Sequence, residues 1–155
     1  MEKAQVILLC GVSGAGKTYM ARKLTLEGYR PVSADAWVWE RYGKELFSLS
    51  PERRMEVFLE AHAAIMDELR RLLAGGCRVV VDSTMCKRWK RDEARRICDE
   101  AGVSCRLMYL TAPKPELLRR LEGRRGISAD DQPVSPEALS RFLTNFEVPG
   151  PDELT

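Results

Sequence analysis

The sequence has little that points to a membrane, a metal cluster or a disulfide framework. It contains one histidine, and its five cysteines show no C-x-x-C spacing, which argues against a zinc site. An odd number of cysteines without such spacing is typical of reduced thiols, and we expect most of them to be buried in a cytoplasmic protein. No apolar run approaches the roughly 20 residues that span a membrane, and no signal peptide precedes the first apolar segment.

Charge of either sign is not in large excess. Twenty-five Lys and Arg against 23 Asp and Glu give a net charge of +2, which predicts neither a strong nucleic-acid partner nor an acidic one. The chain has 155 residues and is 45% hydrophobic, enough for one domain with a single core. We therefore predict one globular domain over residues 1–155.

The strongest chemical signal is a match to the pattern G-x-x-x-x-G-K-[ST], formed by Gly11, Val12, Ser13, Gly14, Ala15, Gly16, Lys17 and Thr18. An apolar run at residues 6–10 predicts a strand before it, and residues 19–26 predict a helix after it. In such a P-loop, backbone N–H groups hold phosphates, the lysine neutralises the β- and γ-phosphates, and the Thr18 hydroxyl binds Mg²⁺. We predict that all eight residues bind ATP·Mg²⁺, with Lys17 on an exposed loop.

Two aspartates follow further predicted strands. Residues 29–33 predict a short edge strand followed by Asp35, and residues 77–82 predict a buried strand ending in Asp82. Ligands of such sheets bind at the carboxyl ends of the strands, so both aspartates should face the phosphates. Asp35 could accept a proton from an acceptor hydroxyl, and Asp82 could orient Mg²⁺ or position the acceptor, with Thr84 on the same rim. Because Asp is also a favoured N-cap, each could instead begin the next helix.

Several aromatic and basic residues are candidates for substrate contacts. Trp37, Trp39 and Arg41 follow Asp35; the tryptophans could stack on a ring-bearing substrate, although packing against the next helix is favoured. Residues 87–91 place four cations at the start of a predicted helix, against its dipole. This conflict indicates either an anion site that includes Arg88 and Arg91 or a solvated basic face.

The last third of the chain predicts a lid and a final helix. Residues 114–134 contain a glycine-flanked arginine pair, Arg124 and Arg125, which predicts a mobile lid whose arginines close over the phosphates. Ser135 followed by Pro136 predicts the start of a helix that runs to about residue 146. The tail from residue 148 is predicted to be irregular.

The order of these motifs resembles the kinase domain of polynucleotide 5′-hydroxyl kinases. It is also similar to a broader group that includes zeta toxins and chloramphenicol phosphotransferase. The segments that carry the resemblance are Gly11–Thr18, Ser33–Asp35, Asp82–Thr84 with Arg91, Arg125–Gly126 and residues 134–139. It implies an α/β P-loop NTPase sandwich of three layers. Its parallel sheet would have the order 2-3-1-4, with a fifth strand short or absent and helices on both faces.

The resemblance also implies roles for particular residues. Asp35 would be the general base, Lys17 and Thr18 would serve ATP·Mg²⁺, and Arg125 would stabilise the transferring phosphoryl group. The sequence departs from polynucleotide kinases at Val38, where they carry an arginine that grips the acceptor, and at Met85, where they carry asparagine. Arg41, one helical turn after Val38, is a candidate substitute.

The favoured function is transfer of the γ-phosphate of ATP to a hydroxyl acceptor. A polynucleotide 5′-hydroxyl is slightly preferred to a nucleoside, sugar or antibiotic, and would lie along a basic track formed by Arg41, Lys87, Arg88, Lys90 and Arg91. A small molecule would lie in a pocket near Asp35 and Trp37. The alternatives are an ATPase or nucleotide-gated binding module without an acceptor, and an interaction protein with a degenerate site.

Overall fold

A computed structural model describes residues 4–12, 14–83, 85–124 and 134–154. The strands in these ranges are β1 (Val6–Cys10), β2 (Arg30–Ser33), β3 (Val79–Asp82) and β4 (Cys105–Tyr109). The helices are α1 (Lys17–Leu26), α2 (Ala34–Tyr42), α3 (Pro51–Ala74), α4 (Arg88–Ala101), α5 (Lys114–Glu122) and α6 (Pro136–Asn145). Two 3₁₀ segments cover Gly43–Ser48 and Pro151–Glu153. Within the described ranges, no helix is both long and apolar enough to cross a membrane.

The strands form one parallel sheet in the order β2-β3-β1-β4, which confirms the predicted order. All five residues of β1 are buried, because a central parallel strand is covered on both faces and needs apolar side chains throughout. β2 lies at an edge, where the missing N–H of Pro31 costs no ladder hydrogen bond. In register, Asp82 of β3 lies beside Ser33 of β2 and Leu9 of β1.

Helices cover both faces of this sheet, as predicted. On one face, Leu8 belongs to a cluster with Ile65 of α3 and Ile97 of α4. On the opposite face, Leu9 packs with Leu24 of α1. The period-2 alternation of a strand sends neighbouring side chains to opposite faces, so β1 holds the two outer layers together.

Local sequence signals set the helix boundaries. α3 begins after Ser50, whose side chain accepts a hydrogen bond from the Arg53 N–H at 3.2 Å, and it ends at Ala74 before a glycine pair, as predicted. α6 begins in the same way after Ser135, which accepts from the Ala138 N–H at 3.1 Å. These helix starts follow from Ser-Pro dipeptides alone.

Two expectations about this architecture are wrong. The segment after residue 147 is not irregular throughout, because the 3₁₀ turn Pro151–Glu153 packs on α4 and buries Glu153. The cysteines are also less buried than expected: Cys10 and Cys98 are buried, and the other three are partly exposed.

Candidate active site

The P-loop connects β1 to α1 and leaves its backbone open to a cavity. Gly14 and Gly16 have φ values of 86° and 104°, in the left-handed region that a residue with a Cβ rarely adopts. α1 begins at Lys17 with Gly16 as its N-cap and without a side-chain cap. The first N–H groups of a helix lack intrahelical acceptors, so this end can receive an anion. Ser13 lies outside the described residues, and its role stays a prediction.

A cavity of about 510 Å³ lies beside this loop, within the usual range of ligand sites of about 300–1,000 Å³. Its walls bring together side chains from four parts of the chain: Lys17, Thr18, Asp35, Asp82, Arg120 and Arg124. The two predicted aspartates therefore do lie at the phosphate loop. This follows from the parallel sheet, because the carboxyl ends of its strands meet at one edge.

Lys17 lines this cavity and is buried at the start of α1. The prediction that it lies on an exposed loop is wrong. Its side chain is 8% exposed, and its Nζ donates to the Val12 carbonyl at 3.3 Å. Burial lowers the pKa of Lys17; the carboxylates of Asp35 and Asp82 oppose this shift, and Arg124 adds to it. A phosphate in the cavity would favour the charged ammonium, so nucleotide binding should raise this pKa.

Asp35 is the second residue of α2 and does not cap it. Ser33 is the N-cap, and its Oγ accepts from the Ala36 N–H at 3.1 Å, so the cap alternative for Asp35 is wrong. Burial at the cavity wall raises the pKa of Asp35 above its ordinary value, while the positive charges of Lys17 and Arg124 act in the opposite direction. A carboxylate with a raised pKa is a stronger base than an ordinary aspartate.

Asp82 is the last residue of β3 and also does not cap a helix. α4 begins six residues later, at Arg88, with Lys87 as its N-cap. Asp82 and Thr18 line the same cavity and provide the oxygen ligands that Mg²⁺ prefers. The described residues contain no group of three or more His, Cys, Asp or Glu suited to a metal. Mg²⁺ usually takes one or two carboxylates together with phosphate oxygens.

Two arginines line the cavity: Arg124 belongs to the predicted lid pair, whereas Arg120 was not chosen from the sequence. α5 packs on the P-loop so closely that a Cβ on Gly14 would lie 3.4 Å from the Leu121 side chain. This docking brings Arg120 to the loop, where its Nη1 donates to the Gly14 carbonyl at 2.7 Å, and it places Arg124 at the cavity wall. Of the predicted pair, the family resemblance assigned the phosphoryl contact to Arg125. Arg125 and Thr84 lie outside the described residues, so their roles stay predictions. Of the predicted lid, residues 114–122 form α5, which packs on the P-loop, and residues 125–133 lie outside the described residues, so lid closure stays a prediction.

The tryptophans near Asp35 have different environments. Trp37 packs against the main apolar core, and the Arg41 guanidinium lies 4.0 Å from its ring centre. Neither residue lines the cavity, so the predicted packing alternative holds for Trp37. Trp39 is half-buried, lies outside the apolar clusters of the described residues, and shares a helix face with Asp35 four residues before it.

Two arginines of the predicted basic track, Arg88 and Arg91, are paired with acids of the same chain. Arg91 is fully buried, and its Nε lies 2.7 Å from Oε1 of Glu153. The exposed Arg88 donates from Nη1 to Oδ1 of Asp152 at 3.4 Å. Arg91 therefore cannot form part of an exposed track, and Asp152 and Glu153 offset the charges of Arg88 and Arg91. Lys87 lies 3.9 Å from a carboxylate oxygen of Glu147. No sequence pattern places residues 152 and 153 on this helix.

Known structures share this fold. A sugar kinase from Janibacter sp. HTCC2649 superposes with a TM-score of 0.71 at 21% identity, covering 98% of this chain and 83% of that chain. A gluconokinase from Sinorhizobium meliloti 1021 superposes with a TM-score of 0.66 at 23% identity, covering 97% of this chain and 79% of that chain. A chain of the Pnkp1/Rnl/Hen1 RNA repair complex superposes with a TM-score of 0.65 at 18% identity, covering 90% of this chain and 43% of that chain.

Sequence comparison adds the family. No curated protein matches the chain significantly. The sequence profile of the AAA domain family matches residues 6–149, which include the P-loop, both aspartates and both cavity arginines. The chain therefore belongs to the AAA domain family, and P-loop kinases share its fold.

Proposed function

We propose that this protein is a kinase that transfers the γ-phosphate of ATP to a hydroxyl group of an acceptor. One observation supports the proposal most strongly. The P-loop, Asp35 with its raised pKa, and two arginines all line the same cavity. A nucleotide-binding module without an acceptor would need the P-loop and a metal ligand. It would not need a partly desolvated aspartate facing the same space.

In the proposed reaction, the acceptor oxygen forms a bond to the γ-phosphorus while the bond to the β–γ bridging oxygen breaks, which releases ADP. Asp35 takes the hydroxyl proton of the acceptor. Lys17, Arg124 and the predicted lid residue Arg125 balance the charge on the phosphoryl oxygens. Thr18 and Asp82 would hold Mg²⁺, which neutralises phosphate charge when it is bound.

The contacts of the described residues favour a small acceptor over a polynucleotide. Val38 is fully buried in the apolar core, Arg91 is fully buried, and Arg88 is paired with Asp152, so three positions of the predicted polynucleotide site are unsuited or already engaged. The similar solved structures include both small-molecule kinases and a chain of an RNA repair complex, so the preference rests on these contacts.

An acceptor screen tests the proposal. Radiolabelled ATP would be incubated with sugars, sugar acids, nucleosides and 5′-hydroxyl oligonucleotides in parallel, and with no acceptor. We expect a labelled small-molecule product with the native protein and about 10²–10⁴-fold slower formation of it with Asp35→Asn. ATP hydrolysis at the same rate with and without every acceptor, and no labelled product, would instead identify an ATPase or nucleotide-gated module.

The polynucleotide alternative has its own test. Each phosphate contact to a single strand contributes a log–log salt slope of about −0.7 to the binding constant. We expect a 5′-hydroxyl oligonucleotide to bind weakly, with a slope near zero. A slope of about −2 or steeper would mean several phosphate contacts and would restore the polynucleotide acceptor.

A further inference from the structure

The connection between β3 and α4 contains a strained residue. Met85 has a φ of 52°, the only positive φ of a non-glycine residue in the described ranges. This left-handed conformation suits glycine and asparagine, and a methionine adopts it only where surrounding contacts hold it there. The Met85 side chain is buried in the main core, three residues after Asp82. The backbone that leaves the candidate site is therefore held in place.

Two donors hold the Met85 carbonyl. Arg91 of α4 donates to it from Nη1 at 2.8 Å, and the Cys10 thiol donates from Sγ at 3.5 Å. Cys10 is the last residue of β1, directly before the P-loop. The Met85 carbonyl thus joins the chain after Asp82 to α4 and to the strand that carries the P-loop. Of the two donors, the charged guanidinium makes the stronger bond.

Arg91 is itself fixed by Glu153. Its Nε and Nη2 lie 2.7 and 3.2 Å from the two carboxylate oxygens, and both side chains are 1% exposed. The Arg95 Nη2 and the Gly150 N–H add contacts of 2.9 Å each to the same carboxylate. Burial alone would raise the pKa of Glu153, but the hydrogen bonds from Arg91, Gly150 and Arg95 lower it to about 2. The pair therefore stays charged at any ordinary assay pH.

We propose that Glu153 and Arg91 are positioning residues of the candidate active site. Glu153 orients Arg91, Arg91 holds the Met85 carbonyl, and the fixed carbonyl sets the chain after Asp82, so that the carboxylate faces Thr18 across the cavity. Neither residue lines the cavity, so neither is a catalytic residue. The effect on Mg²⁺-dependent ATP affinity rests on the proposed function, whereas the hold on the backbone at Met85 does not.

A buried ion pair can also be a purely structural feature, and a double variant separates the two roles. Replacing a buried pair by apolar side chains of similar volume often leaves stability unchanged or increases it. Arg91→Met with Glu153→Leu should therefore fold while lacking the donor to Met85. Asp152→Asn is the matched control, because it removes an exposed ion pair with Arg88 from the same segment and does not touch Met85. Glu153→Gln, which keeps the shape of the side chain, replaces the double variant if that variant does not fold.

Two measurements decide the proposal. Hydrogen exchange of the amides of residues 83–87 should speed up about tenfold in the double variant, because one charged hydrogen bond is lost, while α3 exchanges as in the native protein. Calorimetry of ATP with and without Mg²⁺ should show a smaller gain in affinity from Mg²⁺, with metal-free ATP affinity unchanged. The Asp152→Asn control should match the native protein in both measurements.

Native exchange at residues 83–87 in the double variant would overturn the proposal. Faster exchange with a native Mg²⁺-dependent gain in ATP affinity would also overturn it, because the loop would then have no effect on the site. Both readouts are independent of turnover. A failed acceptor screen with a positive result here would therefore reject only the proposed kinase reaction.

Discussion

Replacing Asp35 with asparagine should separate the role of this residue in the reaction from any role in the fold. Asparagine keeps the shape of the side chain but cannot accept a proton at neutral pH. General-base catalysis contributes about 10²–10⁴-fold to the rate, so we expect kcat to fall by about that factor. ATP affinity should change little, because Asp35 faces the acceptor side of the predicted chemistry and the P-loop stays intact.

The effect on stability combines contributions of opposite sign. The pKa of Asp35 is raised in the folded protein, so folding disfavours the carboxylate. The ionised group therefore destabilises the fold above that pKa, and this cost disappears as the pH falls below the ordinary value of 3.8. Asparagine removes this cost at pH 7. That net cost already includes the attraction of Lys17 and Arg124. Asparagine also removes about 0.3–1 kcal/mol of helix-dipole stabilisation in the first turn of α2, which acts in the opposite direction. Because these contributions have opposite signs, we expect Tm to change little.

Ser33→Ala is the matched control, because Ser33 is the true cap of α2. Loss of its hydrogen bond to the Ala36 N–H should cost about 0.5–2 kcal/mol and lower Tm, with kcat close to native. Thermal unfolding and single-turnover phosphoryl transfer on both variants form the assay. An Asp35→Asn protein with native turnover and a Tm lowered as far as in Ser33→Ala would refute the assignment of Asp35 as the base.

The remaining predictions concern pH and charge at the same cavity. The acid limb of kcat/KM should lie above pH 3.8, because activity is lost as the pH falls through the raised pKa of Asp35. An acid limb at or below pH 3.8 would contradict the assignment of a desolvated Asp35 as the base. Lys17→Met, which fills the buried site of Lys17, should keep the fold and weaken ATP binding. Proton uptake on ATP binding, measured by calorimetry in buffers of different ionisation enthalpy, should increase above neutral pH in the native protein and disappear in this variant. Arg124→Ala and Arg125→Ala should each lower kcat more than they raise the KM for ATP, because an arginine that stabilises the transferring phosphoryl group acts mainly in the transition state. A change in KM alone would mean that the arginine contributes only to binding of ATP in the ground state.

The sequence by itself determined the parts of this protein that depend on local patterns. The P-loop motif, the apolar runs of the strands and the Ser-Pro helix starts each involve neighbouring residues, so the positions of β1, α3 and α6 followed from them directly. Together with the resemblance to small P-loop kinases, these patterns gave the sheet order. That order explains why Asp35 and Asp82 lie at the same cavity, since parallel strands bring their carboxyl ends to one edge.

Only the tertiary structure decided which side chains are buried and which are already paired. Trp37 and Trp39 are two residues apart, but only Trp37 packs against the core, because neighbouring positions of a helix face different directions. The docking of α5 on the P-loop brings Arg120 to Gly14 across 106 positions of sequence, and no local pattern encodes such a contact. Glu153 neutralises Arg91 from 62 positions away. The basic run at residues 87–91, which indicated an anion site in the sequence, therefore already binds the Glu153 carboxylate of the same chain. Burial and ion pairing over such separations depend on how helices pack on the sheet, which short-range periodicity cannot specify.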